Sequence, residues 1–468
     1  MTARDIQCVL LIVVLACALR LPHLSFPNET QLDELIYTDN ALYLLQGIPF
    51  TDTHPPLARI MFAEVARKYQ PIHTQSLPMA ISQSFGDFPY TPERTLVALF
   101  GIGLILLVYF IGRLLGHVPR IAMLPSLLIV CDNVFTLYGR TIHADTIMLF
   151  FDLVMIAAAF MLIKTTKKSS TIALTALIGI AAGFALSVKW IALGVFACVW
   201  LLLFIRKSWG SLIATIVIAA LVYILLFASY LIIYFPNGGA AKNVGFEFAP
   251  HYIGNITFPP FRSLSDAIGF LPDYHKMMWA TNNDPYERQL LPKGASPFYW
   301  PSASAKIVLW SSLADKTILP QTGVVLPPNA RFIMATGNSS LWVLSFLGFF
   351  FNLAWLIRTS YKKRRICVDT DELVLICGYL GNFLPFFFID RPMYLYHYLT
   401  ALVFLFLLTP YMLPRLRESL ERLTHDRSFS YLIIVTLCCL VFVNFIYNIP
   451  YTYGTHSWTY IIAHWVTL

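Results

Sequence analysis

Two adjacent carboxylates, Asp33 and Glu34, stand in QLDELIYTDN (31–40), just past an apolar N-terminal run, with Asp39 close behind. A carboxylate at a helix start is held ionised by the helix dipole and can accept a proton from a hydroxyl brought to it. The same letters also fit a plain helix start, with Thr30 as the cap and Asp33 as the reciprocal acid. Further along, FTDTHPPLARI places Asp52 and His54 beside the turn forced by Pro55 and Pro56. CDNVFTLYGRTIHAD (131–145) gathers Asp132, Arg140, His143 and Asp145 in one short stretch. Lys189 lies in ALSVKWIAL, and IDRPMYLYHYLTAL (389–402) sets Arg391 ahead of Tyr394, Tyr396, His397 and Tyr398. A carboxylate base with cations at headgroup depth suits a lipid-phosphate leaving group, because guanidinium grips phosphate oxygens in pairs. The plainer readings are ion pairs between helices for Asp132 and Arg140, a snorkelling lysine at 189, and a tyrosine belt anchoring 394–398.

Those residues must be held by a membrane protein. The chain of 468 residues is 57% hydrophobic and only 12% charged, with mean hydropathy +0.66. A soluble domain carries about twice that charge. The net charge of +8 is spread in short basic clusters between apolar runs, which is an orientation signal and excludes a nucleic-acid surface. The eight cysteines lie in or beside apolar runs and show no disulfide framework or zinc spacing. No other ligand cluster calls for a metal.

Apolar runs long enough to span a bilayer fall at about 5–22, 94–115, 121–138, 144–163, 171–186, 189–205, 211–234, 340–357, 373–389, 393–413 and 429–448. These eleven spans predict an all-α polytopic protein in which residues 1–468 form one transmembrane domain. The basic clusters at 113–120, 164–168, 206–207, 358–365 and 415–427 then all share the cytoplasmic side with Arg4. Two long loops, 23–93 and 235–339, face outward, and LARIMFAEVARKY in the first predicts an amphipathic helix. The ACA at 16–18 also fits a signal-peptide cleavage site, but an uncleaved first span agrees better with the rest of the chain. Three Asn-x-Ser/Thr sequons, at Asn28, Asn255 and Asn338, lie in the outward loops. No internal repeat is visible, and the acids cluster outside, which argues against a secondary transporter or flippase.

Several stretches together resemble the protein O-mannosyltransferases. LDELIYTDNALYLLQG followed by TDTHPPLARI resembles that family's Asp-Glu pair and His-Pro-Pro-Leu segment, and LYGRTIHADTIMLFF resembles its Ser-Arg…Leu-Asp stretch. GFALSVKWIAL, ASPFYWP and TGNSSLWVL resemble three more of its segments, and all five appear in the family's order. The resemblance implies a GT-C glycosyltransferase fold and an inverting transfer from a polyprenyl-phosphate sugar, typically mannose, to Ser/Thr hydroxyls outside the cytoplasm. It implies Asp33 as the base with Glu34 as its partner, and Asp52, His54, Arg140, Asp145, Lys189, Arg391, Tyr396 and His397 in substrate binding. The donor lipid is a co-substrate, so no further cofactor is expected. The expected setting is the plasma membrane, with the site extracytoplasmic and a secreted or membrane protein as acceptor. A lipid or glycan acceptor is the alternative. The second outer loop lacks the MIR domain of eukaryotic members, Ser339 stands where the family usually has Pro, and Ala144 replaces a Leu before Asp145.

Overall fold

The computed structural model describes residues 2–69, 82–243, 256–283, 296–304, 306–313, 329–389 and 393–458. The chain opens with α1 (Ala3–Arg20), then two outer-loop helices, α2 (Leu32–Gln46) and α3 (Leu57–Tyr69). The bundle continues through α4 (Tyr90–Leu114), α5 (Pro119–Val130), α6 (Asn133–Tyr138), α7 (Ala144–Leu162), α8 (Lys168–Val188), α9 (Leu193–Ile205) and α10 (Trp209–Tyr234). Helix α11 (Leu264–Asn282) belongs to the second outer loop, and α12 (Ser339–Lys363), α13 (Thr370–Gly381), α14 (Leu399–Thr424) and α15 (Arg427–Tyr453) complete the bundle. Among the described residues, eight helices are long and apolar enough to cross a membrane, and two more apolar helices are shorter. The protein is an integral, multi-pass membrane protein.

Each predicted span falls on helix, with four differences. The span expected at 121–138 breaks after Val130, and Asp132 caps a new short helix, α6, by accepting from the amides of Val134 (2.9 Å) and Phe135 (3.0 Å). At 189–205 a 3-10 turn, Trp190–Ala192, precedes α9. Those at 373–389 and 393–413 are likewise divided by 3-10 turns at Leu384–Phe388 and Leu395–Tyr398. At the first break the Asp132 side chain takes the place of backbone partners, as irregular backbone at membrane depth requires. Helix α14 also runs on through the basic stretch to Thr424, where a loop was expected.

Small residues let the helices approach. A Cβ on Gly179 or Gly183 of α8 would stand 2.6 Å from the Cβ of Ile218 or Val222 on α10, so a larger residue would prise the pair apart. At the end of the bundle away from the acid pair, Asp5 accepts from Tyr109 and Arg113, each at 2.7 Å, and Arg415 pairs with Glu372. The two outer loops are tied together by the parallel pairing of Phe50–Thr51 (β1) with Lys242–Asn243 (β2). A second link, the antiparallel pair Ile307–Ser311 and Phe332–Ala335, brings Leu309 next to the start of α2.

Candidate active site

Helix α2 fixes the acid pair. Its cap is Gln31, not Thr30, and the reciprocal acid is Glu34, whose Oε2 accepts the Gln31 amide at 3.1 Å. The expected Thr30–Asp33 cap is therefore shifted by one residue, and Asp33 is released from capping. Glu34 is fully engaged: Arg94 reaches its two oxygens at 2.8 and 2.7 Å, and the amide of Ile142 donates at 2.9 Å. With all that and 1% side-chain exposure, Glu34 is a brace between α2, α4 and the α6–α7 turn.

Asp33 instead meets His143, with Oδ2 and Nε2 3.0 Å apart, and its side chain keeps 18% exposure. His143 stands at the N-cap position of α7. Its Nδ1 lies 3.3 Å from the amide of Asp145, from which an unprotonated Nδ1 would accept, and 3.0 Å from Asp145 Oδ2, to which a protonated Nδ1 would donate. Asp145 also pairs with Lys189. A row of alternating charge results: Asp33, His143, Asp145, Lys189. The Tyr396 ring packs 4.7 Å from His143 and lies under Lys189 Nζ at 4.9 Å. Burial works to lower the basicity of His143, but Asp145 and Asp33 outweigh it and hold the ring above its ordinary value.

Lys189 joins this row to a cavity of about 760 Å³, lined also by His54, Trp190, Asn282, Asn382, Phe386 and His397. Its walls are mostly apolar with a few polar groups, as expected of a site for an amphiphilic ligand. His397 stacks on Trp300, with planes 7° apart, and on Tyr396. On the other side of the row, Asp33, Gln31, Tyr138 and Leu309 form a narrow niche with His143. Among the described residues, the arrangement sets an accessible carboxylate, Asp33, at the niche and a cation, Lys189, at the cavity, linked by buried groups.

Not every expected site residue lies here. Asp52 does not face a ligand: it is buried, pairs with Arg59, and accepts from Asn40 Nδ2 (2.8 Å) and the His54 amide (3.1 Å). Burial pushes its carboxyl up, against the pull of Arg59, so it braces the turn that presents His54. Arg140 is not a phosphate clamp. Its guanidinium donates to the carbonyls of Leu19 (3.1 Å), Arg20 (2.9 Å), Pro22 (2.6 Å) and His23 (3.4 Å), and covers the Tyr453 ring at 4.6 Å. The end of α1 leaves carbonyls without helical partners, and Arg140 satisfies them. Arg391 and the sequon at Asn255 lie outside the described residues. Asn338 is fully buried, caps α12 and donates to the carbonyls of Cys131 and Val441. Sequence reasoning does not single out Arg94 and gives His143 no role of its own. The signal for Arg94 is its position at the head of an apolar run, where an arginine is costly unless paired.

Comparison with known proteins bears on the family and the fold. The family profile described as "Dolichyl-phosphate-mannose-protein mannosyltransferase" matches residues 10–240, and that of the "C-terminal four TMM region of protein-O-mannosyltransferase" matches residues 270–465. Dolichyl-phosphate-mannose–protein mannosyltransferase 1 of Candida albicans is 30% identical over 275 residues, covering 50% of this chain and 29% of that protein. Its namesake in Saccharomyces cerevisiae is 28% identical over 227 residues, covering 44% and 26%. The chain thus matches under a third of the length of these curated relatives. Among solved structures, the S. cerevisiae protein O-mannosyltransferase Pmt1-Pmt2 complex bound to the sugar donor aligns with TM-score 0.73 and 16% identity, over 97% of this chain and 91% of that one. ArnT from Cupriavidus metallidurans bound to undecaprenyl phosphate aligns with TM-score 0.50 and 15% identity, over 88% and 61%. At such identities the likeness is one of fold, the GT-C glycosyltransferase fold. The two profiles between them take in both halves of the bundle, and with the relatives they show that this chain belongs to the protein O-mannosyltransferase family.

Proposed function

We propose that the protein is an inverting glycosyltransferase that moves mannose from a polyprenyl-phosphate carrier to Ser/Thr hydroxyls of proteins, on the extracytoplasmic face of the plasma membrane. One observation carries the reading. Of the acids in this cluster, Glu34, Asp52 and Asp145 have side chains 5% exposed or less, and Asp33 keeps 18%. Asp33 is also linked through His143 and Asp145 to Lys189 at the cavity wall.

In this reading the acceptor hydroxyl enters the niche and gives its proton to Asp33 as its oxygen attacks the anomeric carbon. The bond to the carrier phosphate breaks on the opposite face, so the configuration inverts. Lys189 balances the charge that appears on the departing phosphate, and the apolar cavity holds the start of the lipid chain. The family profiles support the donor class, as does the sugar donor named for the Pmt1-Pmt2 complex. The alternating basic clusters support an outward site. The test is a reconstituted assay with polyprenyl-phosphate mannose and a Ser/Thr peptide, read by mass spectrometry. Mannosylated peptide is the expected product. A product on lipid or glycan with the peptide untouched would redirect the acceptor assignment.

A further inference from the structure

We propose that His143 is a positioning residue: a buried cation, shared between two carboxylates, that holds Asp33 in its proton-accepting geometry. This deepens the function proposed above and rests on its reading of Asp33 as the base. The contacts define the role. Each ring nitrogen lies 3.0 Å from a carboxylate oxygen, Nε2 from Asp33 and Nδ1 from Asp145. A neutral imidazole has one N–H, so it would set a lone pair against one of the two carboxylates, whereas the imidazolium donates to both. The Asp145 amide also points at Nδ1 but at 3.3 Å, farther than the carboxylate oxygen.

The surroundings favour the same state. His143 is 2% exposed, so water cannot replace a missing partner. Asp33 and Tyr37 face it from α2, Tyr138 from α6, Asp145 from α7 and Tyr396 from the 3-10 turn at Leu395–Tyr398. Lys189 stands behind Asp145. With His143 charged, the row of two acids and two cations is neutral; with His143 uncharged, a net negative charge is left in an enclosed site, which is costly. The balance of burial against the two acids, raising the ring above its ordinary value, fits this.

The device has a consequence for the reaction. His143 keeps its proton throughout: the acceptor's proton goes to Asp33, and the electron pair of the broken bond leaves with the phosphate. When the ring is stripped of a proton at high pH, one of the two bridges is lost, and Asp33 loses its fixed orientation.

Two measurements on the intact protein in nanodiscs decide the matter. The first is a titration of ¹⁵N-labelled histidine rings, with the His143 signal identified by its loss in His143→Gln. Its midpoint is expected above the free-histidine value of about 6.5, and lower in Asp33→Asn and in Asp145→Asn. A midpoint at or below the free value overturns the proposal. The second is the pH profile of transfer. The wild type is expected to lose kcat on the alkaline side at the same midpoint. His143→Gln, whose carboxamide still donates but does not titrate, is expected to lose roughly 10- to 100-fold in kcat with little change in donor KM, and to lose the alkaline limb. An unchanged limb in that variant overturns the proposal. Should Asp33→Asn retain transfer, the base assignment fails, while the ring titration still decides the charge of His143.

Discussion

Two aspartates at the outer end of the bundle show how one side chain serves two ends. Asp132 is fully buried and accepts four hydrogen bonds, from the amides of Val134, Phe135 and Asn338 and from Trp342 Nε1 at 2.6 Å. Beside it, Asn133 accepts from the Thr336 amide and donates to Thr452, and the Thr336 hydroxyl donates to Asn448, so the network stitches α6 to the start of α12 and to α15. Asp33 has His143 as its side-chain partner and keeps contact with solvent. Saturation makes Asp132 a rivet, and its lack of spare capacity is what disqualifies it from chemistry. Asp33 is left available for the proposed proton transfer because its neighbour Glu34 takes over the structural duties of the helix start.

The sharpest test of this contrast is to blunt each acid. Asp33→Asn should lower transfer by about a thousand-fold or more, with the thermal midpoint in detergent close to wild type; activity above about a tenth of wild type removes Asp33 from the base role. Asp132→Ala should do the opposite, costing about 3–5 kcal/mol of stability by leaving four buried donors unpaired. The protein that does fold should bind donor normally. Should Asp132→Ala instead fold well and lose activity, the division of labour is wrong.

Lys189 and Arg140 extend the comparison to cations. Lys189→Met is expected to raise the donor KM by about tenfold or more and to depress kcat, since it removes the charge at the cavity wall. Arg140→Met should cost roughly 2–4 kcal/mol by leaving the Arg20 and Pro22 carbonyls without their donor, measured as a lower unfolding midpoint, with donor KM unchanged. A shifted donor KM in Arg140→Met would restore the phosphate role that the structure denies it.

The smallest effect belongs to Asp39, a third acid of α2. Burial lifts its pKa from 3.8 to about 7, and its Oδ1 is buried with no hydrogen-bond partner. The folded state therefore binds a proton more tightly than the unfolded state, and stability falls as pH rises from about 4 through 7. Asp39→Asn should raise the unfolding midpoint at pH 8 and change it little at pH 4. A gain of equal size at both values would mean that the carboxyl is not titrating.

Much of this was legible beforehand. Apolar run length located the helices of the bundle, because it depends on single segments and on the bilayer. The acid pair and its turn partner were visible for the same local reason. The breaks after Val130 and around Lys189 were hidden, since one or two polar residues barely change the hydropathy of a long run. Arg140 was misassigned because sequence gives depth in the membrane but not direction around a helix. The Glu34–Arg94 pair joins residues sixty apart in the chain, and His143 matters only because α2 brings Asp33 to it; such partnerships are made by the packing of helices.

Asn338 is sealed on every side by the rivet that holds Asp132. An oligosaccharide at that sequon has no room in the finished protein, so its attachment has to precede closure of the bundle. A chain carrying one would be marked as a molecule that lingered open during synthesis, and the fraction so marked would serve as a clock for how quickly the last spans come home.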